Sequence, residues 1–345
     1  MNDLLSPVFL RGPVVARLVL VLQAVVVLSL TTLVVWLTLR SMPESLEEQS
    51  AVLLLLKQVY WHMQKALADF FTNPLLAGGF VCLLALSLVI PATRKVPILS
   101  QGVSVDFAWM LVHAVFFALF ITAFLGAAHG WVSRWAQPIP HHILSGVPVW
   151  AQVTVGYLLV ELMGWFSHLL RHKVKVLWAF HEVHHSQREM NAFTLFRVHP
   201  VDYLMAEVIT LLPSILFQDY LGIALTYLGV SRLHDALNHS NIRTNLGWLR
   251  FVFVTPQSHR VHHSMDPAYN DMNFGVTLCL WDRLFGTHSP SDVVYPETGV
   301  PDEVFPAEGK RSFFLLPVTL VRQLGYPFLK VFHLAFGRQV IARNL

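Results

Sequence analysis

Residues 18–39 pass without one charged side chain. A helix of that length covers the roughly 30 Å of a bilayer's hydrocarbon, and within lipid only a segment that satisfies its own backbone hydrogen bonds can cross. Three further stretches, 70–90, 107–128 and 147–167, are apolar enough to do the same. The chain is therefore expected to be all-α: a multi-pass transmembrane helical bundle of four crossings, with both ends on one side. Composition agrees, since 13% of residues are charged, about half the share of ordinary soluble domains. The first run lacks a short core followed by a small-residue cleavage site, so it reads as a retained helix rather than a signal peptide.

Basic residues orient the bundle. Arg11 and Arg17, Arg94 and Lys95, and Arg171, Lys173 and Lys175 all fall on one face of the four-helix arrangement, which the positive-inside rule makes cytoplasmic. The loop 40–69 on the opposite face holds Arg40, Lys57 and Lys65 among acidic residues, and its amphipathic stretch 52–71 is expected to lie in the interface. The segment 203–230 is apolar but interrupted by Pro213 and by Gln218-Asp219. It predicts a helical hairpin that dips into the membrane and returns. The tail 311–345 mixes apolar residues with Arg322, Lys330, Arg338 and Arg343, which suits a helix on an anionic inner leaflet. The small, dispersed net charge of +3 gives no case for nucleic acid. Cys82 and Cys279 lie in apolar stretches, so neither a disulfide framework nor a cysteine zinc site is expected.

Histidine is the residue in excess: of 18, most fall between His168 and His263. The stretch HEVHHS at 181–186 allows two readings. As HExxH, His181 and His185 would bind zinc with Glu182 as the base of a metalloprotease. As HxxHH, the ligands are His181, His184 and His185, since positions i, i+3 and i+4 lie on one side of a helix. A second copy, HRVHH, offers His259, His262 and His263 but has Arg260 where the protease reading wants a glutamate. The shared feature is thus three histidines. His168 and His172 stand one turn apart in HLLRH at the end of the fourth apolar helix, and the eight residues after His172 give the chain room to leave the bilayer and turn. His239 follows the apolar hairpin. Nine imidazoles at four or five per ion point to two metals, where the helices emerge on the cytoplasmic side beneath the bundle. His234 and His199 are weaker additional candidates, and ligand type alone leaves iron, zinc and copper open.

Over residues 161–288 the sequence resembles the fatty acid hydroxylase and sterol desaturase superfamily, through the ordered HxxxH, HxxHH and HxxHH set and the stretches TPQSHRVHH, NFGVTLCLWDRLFGT and FRVHP. The resemblance implies integral membrane di-iron enzymes that use O2 on lipids, built as a helical bundle with a cytoplasmic helical cap holding the metals. It carries ligand roles onto His168, His172, His181, His184, His185, His239, His259, His262 and His263. It also implies hydroxylation of a fatty-acyl, sterol or other lipid substrate, with desaturation by the same centre as the alternative and zinc a possible occupant as purified. Where many members carry an aspartate seven residues before the first histidine, this chain has Glu161, and His168 is followed by Leu169 rather than arginine. The expected division is an N-terminal transmembrane region at 1–145, a catalytic domain at 146–300 and an interfacial tail at 301–345. The expected location is a bacterial inner membrane, or endoplasmic reticulum in a eukaryote.

Ligating imidazoles need their second nitrogen held. Candidates are Glu161 and Asp282 above all, then Glu182, Asp202, Asp235 and Asp271, with Asp282 also able to pair with Arg283 or Arg260. Trp165 and Phe166 are candidates to line a substrate channel. His62, His113, His129, His141, His142 and His333 read as structural, and His288 has no partner at ligand spacing. With no haem motif, GxGxxG or cysteine cluster in the chain, two electrons per turnover would come from an external donor of cytochrome b5 or ferredoxin type. A zinc protease and a metal transporter are the competing classes.

Overall fold

The computed structural model describes residues 74–93, 100–116, 146–211, 220–301, 305–306 and 316–336. The expected crossing at 18–39, the interfacial stretch at 52–71, the latter part of 107–128, the hairpin tip with Pro213 and Gln218-Asp219, and the tail beyond 336 lie outside those residues. So do His62, His129, His141 and His142, and the charges at Arg11, Arg17, Arg94, Lys95, Arg40, Lys57 and Lys65.

The described residues are helical with no strands; three isolated antiparallel bridges, Pro91–Ile242, Phe253–Leu278 and Ser264–Thr298, tie loops together. The helices are α1 (Pro74–Val89), α2 (Gln101–Phe116), α3 (Val149–Lys173), α4 (Lys175–His185), α5 (Pro200–Leu211), α6 (Tyr220–His239), α7 (Pro256–His262), α8 (Leu280–Phe285) and α9 (Leu316–Phe336).

Among the described residues only α3, at 25 residues, is long and apolar enough to cross a membrane. Its N-terminal half presents Val149, Trp150 and Val155 outward, Trp150 at 73% exposure. An outward apolar surface on a helix that also packs inward suits lipid rather than water. The second apolar stretch appears as α1, 16 residues long, with Val81, Leu88 and Val89 exposed.

Helix α3 runs past the apolar stretch to Lys173, so His168 and His172 occupy its last turns. Only Val174, in an extended conformation, separates it from α4. The expected eight-residue turn is therefore two abutting helices. That bend folds α4 back on α3. Helices α5 and α6 cover the described parts of the segment expected to form a hairpin, and both pack on α3. Helix α6 continues to His239, its last residue.

One apolar core joins α2, α4 and α9: Val105, Trp109, Val183 and Tyr326 with Val300 and Phe305. Within it the Trp109 indole donates to Gln323 Oε1 at 2.8 Å, so neither polar group is buried unpaired. A second core, Val160 and Tyr227 with Tyr157 and Val276, closes α3 on α6.

Candidate metal centre

Four segments bring the nine predicted histidines together. Helix α3 supplies His168 and His172, α4 supplies His181, His184 and His185, and α6 supplies His239. Helix α7 and its C-cap supply His259, His262 and His263. Although α7 has only seven residues, its start is well specified. Thr255 caps it by accepting from Ser258 N at 3.1 Å, Ser258 Oγ returns the bond to Thr255 N at 2.9 Å, and Pro256 occupies the first turn.

The nine fall into two groups, each with ligand atoms within 4.8 Å of one another: His168, His172, His181, His185 and His262, and His184, His239, His259 and His263. Each triplet is split. His181 and His185 serve the first group while His184 turns to the second; His259 and His263 serve the second while His262 turns to the first. The groups touch where His185 stacks on His263, ring centroids 4.2 Å apart. His234 and His199 stand outside both: His234 Nε2 meets the Val254 carbonyl at 2.8 Å and His199 Nε2 the Leu324 carbonyl at 3.2 Å.

Outward-facing nitrogens fix the tautomers. Nδ1 of His168 donates to the Phe274 carbonyl at 2.9 Å, that of His184 to Arg197 O at 3.3 Å, that of His239 to Asp235 O at 2.8 Å and that of His262 to Met272 O at 2.7 Å. A carbonyl only accepts, so the proton sits on Nδ1 and the Nε2 lone pair points inward. Those lone pairs then face each other: His239 Nε2 lies 3.2 Å from His184 Nε2. Protonating one ring would relieve the pair, but burial holds His181, His184, His185, His259, His262 and His263 well below the usual histidine range, and His239 at about 4. Nε2 of His168 and of His262 is buried with no hydrogen-bond partner among the described residues. Converging neutral lone pairs of this kind are what a bound cation satisfies, so the residues fit a histidine-ligated metal pair.

Of the expected carboxylates, Asp202 and Asp271 meet imidazoles, whereas Glu161 and Asp282, placed first, do not. Asp202 takes Nδ1 of His181 at 3.0 Å and Arg171 Nη1 at 3.3 Å, and burial outweighs Arg171 to lift its carboxyl to about 6. Asp271 sits 3.7 Å from His172 Nδ1 and 2.5 Å from Lys173 Nζ. Glu161 meets no imidazole. Its Oε2 accepts from the backbone of Thr277 and Leu278 at 3.2 and 2.9 Å. Asp282 pairs with neither Arg283 nor Arg260; it accepts from Phe274 N and Gly275 N, both at 2.8 Å, and from the Trp165 indole at 3.0 Å. Trp165 is thereby committed to packing, stacked on Phe285 at 4.6 Å, while Phe166 is 40% exposed. Both carboxylates thus act on the segment 274–278, whose Phe274 carbonyl orients His168. Just ahead of it, Asp271 and Asn273 adopt left-handed backbone (φ 61° and 58°), a conformation rarely taken by side chains other than Asn, Asp or Gly. Asn273 is held there by donating to Ser258 O at 2.8 Å and accepting from Ser289 N at 2.8 Å. A Cβ on Gly275 would meet Leu278 O at 2.5 Å, so only glycine lets this segment fold so tightly.

Glu182 points away from both groups, to Lys330 of α9 at 2.5 Å. Two residues went unforeseen. Asp106 of α2 and Arg197 are fully buried and paired at 2.5 Å, and Asp106 also accepts from Gln187, Asn191 and Thr194 at 2.6–2.8 Å. Arg197 is the residue whose carbonyl holds His184. An acidic residue abutting the uncharged stretch 107–128 was the available signal.

Asp202→Asn is expected to weaken metal binding at the five-histidine group by about 10–100-fold and to spare the four-histidine group. Metal titration into the stripped protein checks this, and equal weakening at both groups would contradict it.

A helical fold with buried imidazoles sorted into two ligand-spaced groups defines the chain as a candidate dimetal protein. Residues 153–287 match the fatty acid hydroxylase family model. The sequence is 30% identical over 178 residues to ornithine lipid hydroxylase OlsE of Rhizobium tropici, covering 51% of this chain and 50% of that protein. It is 32% identical over 139 residues to alkylglycerol monooxygenase of Xenopus tropicalis, covering 39% of this chain and 30% of that one. The human alkylglycerol monooxygenase gives 31% over 148 residues, 41% and 32% of the two chains. The chain thus spans half or less of the length of these relatives. No solved structure matches it.

Proposed function

We propose that this chain is a membrane-bound, O2-dependent lipid hydroxylase whose two histidine groups each hold one iron ion. The observation that carries the reading is the convergence of nine imidazoles, four of them with tautomers fixed from outside by carbonyls, within a stretch that matches the fatty acid hydroxylase family model. Bound iron would supply activation of O2 for insertion into an unactivated C–H bond. The balance is C–H + O2 + 2 e⁻ + 2 H⁺ → C–OH + H2O, with the electrons from a separate one-electron donor protein of cytochrome b5 or ferredoxin type. The chain's own share is to bind the metals, to fix the imidazoles through Asp202, Arg197, Met272 and Phe274, and to keep bulk water from a site whose ligands are almost all buried. Loss of a second hydrogen from the same lipid would make the product an alkene, the desaturase alternative.

The multi-pass arrangement, with the metals at the cytoplasmic rim, draws support from α3. Its apolar surface faces outward at one end, and Arg171 and Lys173 share its last turns with His168 and His172. Residues 146–300 form the catalytic unit in this reading, with the tail helix α9 at the interface. Full-length protein in nanodiscs, loaded with iron and supplied with a reductase system, is expected to add 16 mass units to a lipid in an O2-dependent way. Glu182→Gln is expected to keep that activity within about threefold, because a carboxylate turned to Lys330 is no proteolytic base. Loss of iron-dependent oxidation together with peptide cleavage by the wild type would reverse the assignment.

A further inference from the structure

Two short stretches far apart in sequence, the 3-10 turn Gly247–Phe251 with Val252 after it and helix α8, expose large apolar side chains next to each other. Trp248 is 73% exposed and Leu284 66%, while Phe251, Val252, Leu280 and Phe285 lie between 45% and 57%. They form one surface. Cys279 N, at the start of α8, donates to the Val252 carbonyl at 3.0 Å, and Arg283 Nη2 donates to the Arg250 carbonyl at 3.1 Å. An apolar patch of this kind marks a contact with something other than water.

The position and chemistry of the patch point to lipid. Phe285 stacks on Trp165 of α3 with ring centroids 4.6 Å apart, beside the exposed Phe166, so the patch prolongs the outward surface of the helix long enough to cross a membrane. Phe166 precedes Arg171 by five residues, about 7 Å along the helix axis. That is where a crossing helix passes from acyl chains to headgroups. Asp282, the one acid in the two stretches, is buried and turned inward. The two arginines instead sit at the rim: the Arg250 guanidinium lies 4.6 Å and that of Arg283 5.5 Å from the centre of the Phe251 ring. Arginines at a bilayer surface lay their stems on apolar groups in this way and keep their charged ends at headgroup level. Both also line a cavity of about 240 Å³ with Gln257, His288, Ser289 and Asp292. Asp292 orients Arg250 by accepting from its Nε at 2.6 Å, and guanidinium forks side by side match the oxygens of a phosphate.

We propose that this edge of the cap is seated in the phospholipid leaflet, with Trp248, Phe251, Leu284 and Phe285 at the acyl boundary and Arg250 and Arg283 on lipid phosphates. The inference rests on the membrane-bound reading above and names the surface of the cap that lipid holds. It also gives the leaflet a grip on the metal site. Helix α8 carries Asp282, which accepts from the backbone of Phe274 and Gly275, and the Phe274 carbonyl orients His168.

The test uses full-length protein in vesicles of phosphatidylcholine and phosphatidylglycerol, with one nitroxide on an introduced cysteine in a Cys82→Ser background; Cys279 is buried and stays. Power-saturation EPR compares collisions with O2, which concentrates in lipid, and with a water-soluble nickel chelate. Labels at Trp248→Cys and at Leu284→Cys are expected to favour O2 over the chelate by at least about threefold, and a label at Ala268→Cys, in the exposed turn Pro267–Tyr269, to show the reverse. Arg250→Gln/Arg283→Gln should lower several-fold the phospholipid that native mass spectrometry finds on the detergent-exchanged protein, with metal content at the wild-type value. Chelate-accessible labels at 248 and 284 would overturn the proposal, and so would labels shielded from both agents, which would assign the surface to a second copy or to the electron donor. Undiminished lipid in the double variant would overturn the role given to the arginines. A label at Val155→Cys, on the outward surface of α3, keeps the two readings apart: water there sinks the membrane-bound reading, whereas lipid there and water at 248 and 284 sinks this inference alone.

Discussion

The double variant His184→Ala/His263→Ala is expected to retain about one metal per chain, although it cuts into both HxxHH triplets. Both residues belong to the four-histidine group; removing them leaves it two ligands and leaves the other group whole. His185→Ala/His262→Ala should likewise keep about one metal, at the opposite position. The contrast comes from neighbours in sequence. If each triplet served its own ion, His184→Ala/His185→Ala would spare one metal, and the pair drawn from different triplets would lose both. Metal content of the full-length protein, measured per chain, separates the two arrangements. Turnover should fall by at least about a thousandfold in every double variant, roughly 4 kcal/mol of transition-state stabilisation, because reduction of O2 in this reading draws on both positions. A His184→Ala/His263→Ala protein with no metal left would refute the crossed sorting.

The same helical geometry explains why the nine histidines were legible in the sequence and their sorting was not. At about 100° per residue, His181 and His185 differ by some 40° around α4, whereas His184 and His185 differ by a full 100°. The spacing says that all three lie on one side; it takes α7, approaching from the far side with the same spacing, to split that side in two. Helical character and the outward apolar surface of α3 followed from composition and run length, while the bend at Val174 carried no proline or glycine to announce it. The carboxylates were chosen by type and position; Asp202 and Asp271 among them do face imidazoles, but the two placed first do not. Glu161 and Asp282 accept from backbone N–H groups of the segment 274–278, over a hundred residues from Glu161. Such a contact exists only once α3 and that segment meet. The carbonyls of Met272, Phe274, Arg197 and Asp235 hold four ligands, and a carbonyl has no sequence signature at all.

Arg197→Met is expected to destabilise the protein by about 3–5 kcal/mol, the usual consequence of leaving one member of a buried ion pair without the other. The stranded group would be Asp106, fully buried, whose Oδ2 could still accept from Gln187, Asn191 and Thr194 but whose Oδ1 would lose Arg197 Nε at 2.5 Å. Energy alone is not the informative part. Arg197 also donates from Nη1 to Ser186 Oγ at 3.2 Å, immediately after the α4 histidines, and its carbonyl orients His184. Loosening residue 197 should therefore weaken the four-histidine group more than the five-histidine group, which takes nothing from this loop. Asp106→Asn/Arg197→Met removes both charges, and by the same reasoning it should recover a good part of the stability while metal affinity at the four-histidine group stays low. Thermal unfolding in detergent, read beside metal titration, tests both halves. A double variant no more stable than Arg197→Met would show that Asp106 acts through its hydrogen bonds to the loop rather than through its charge. Uniform loss of metal from both groups would show that the pair supports the helical scaffold as a whole and not the aim of His184.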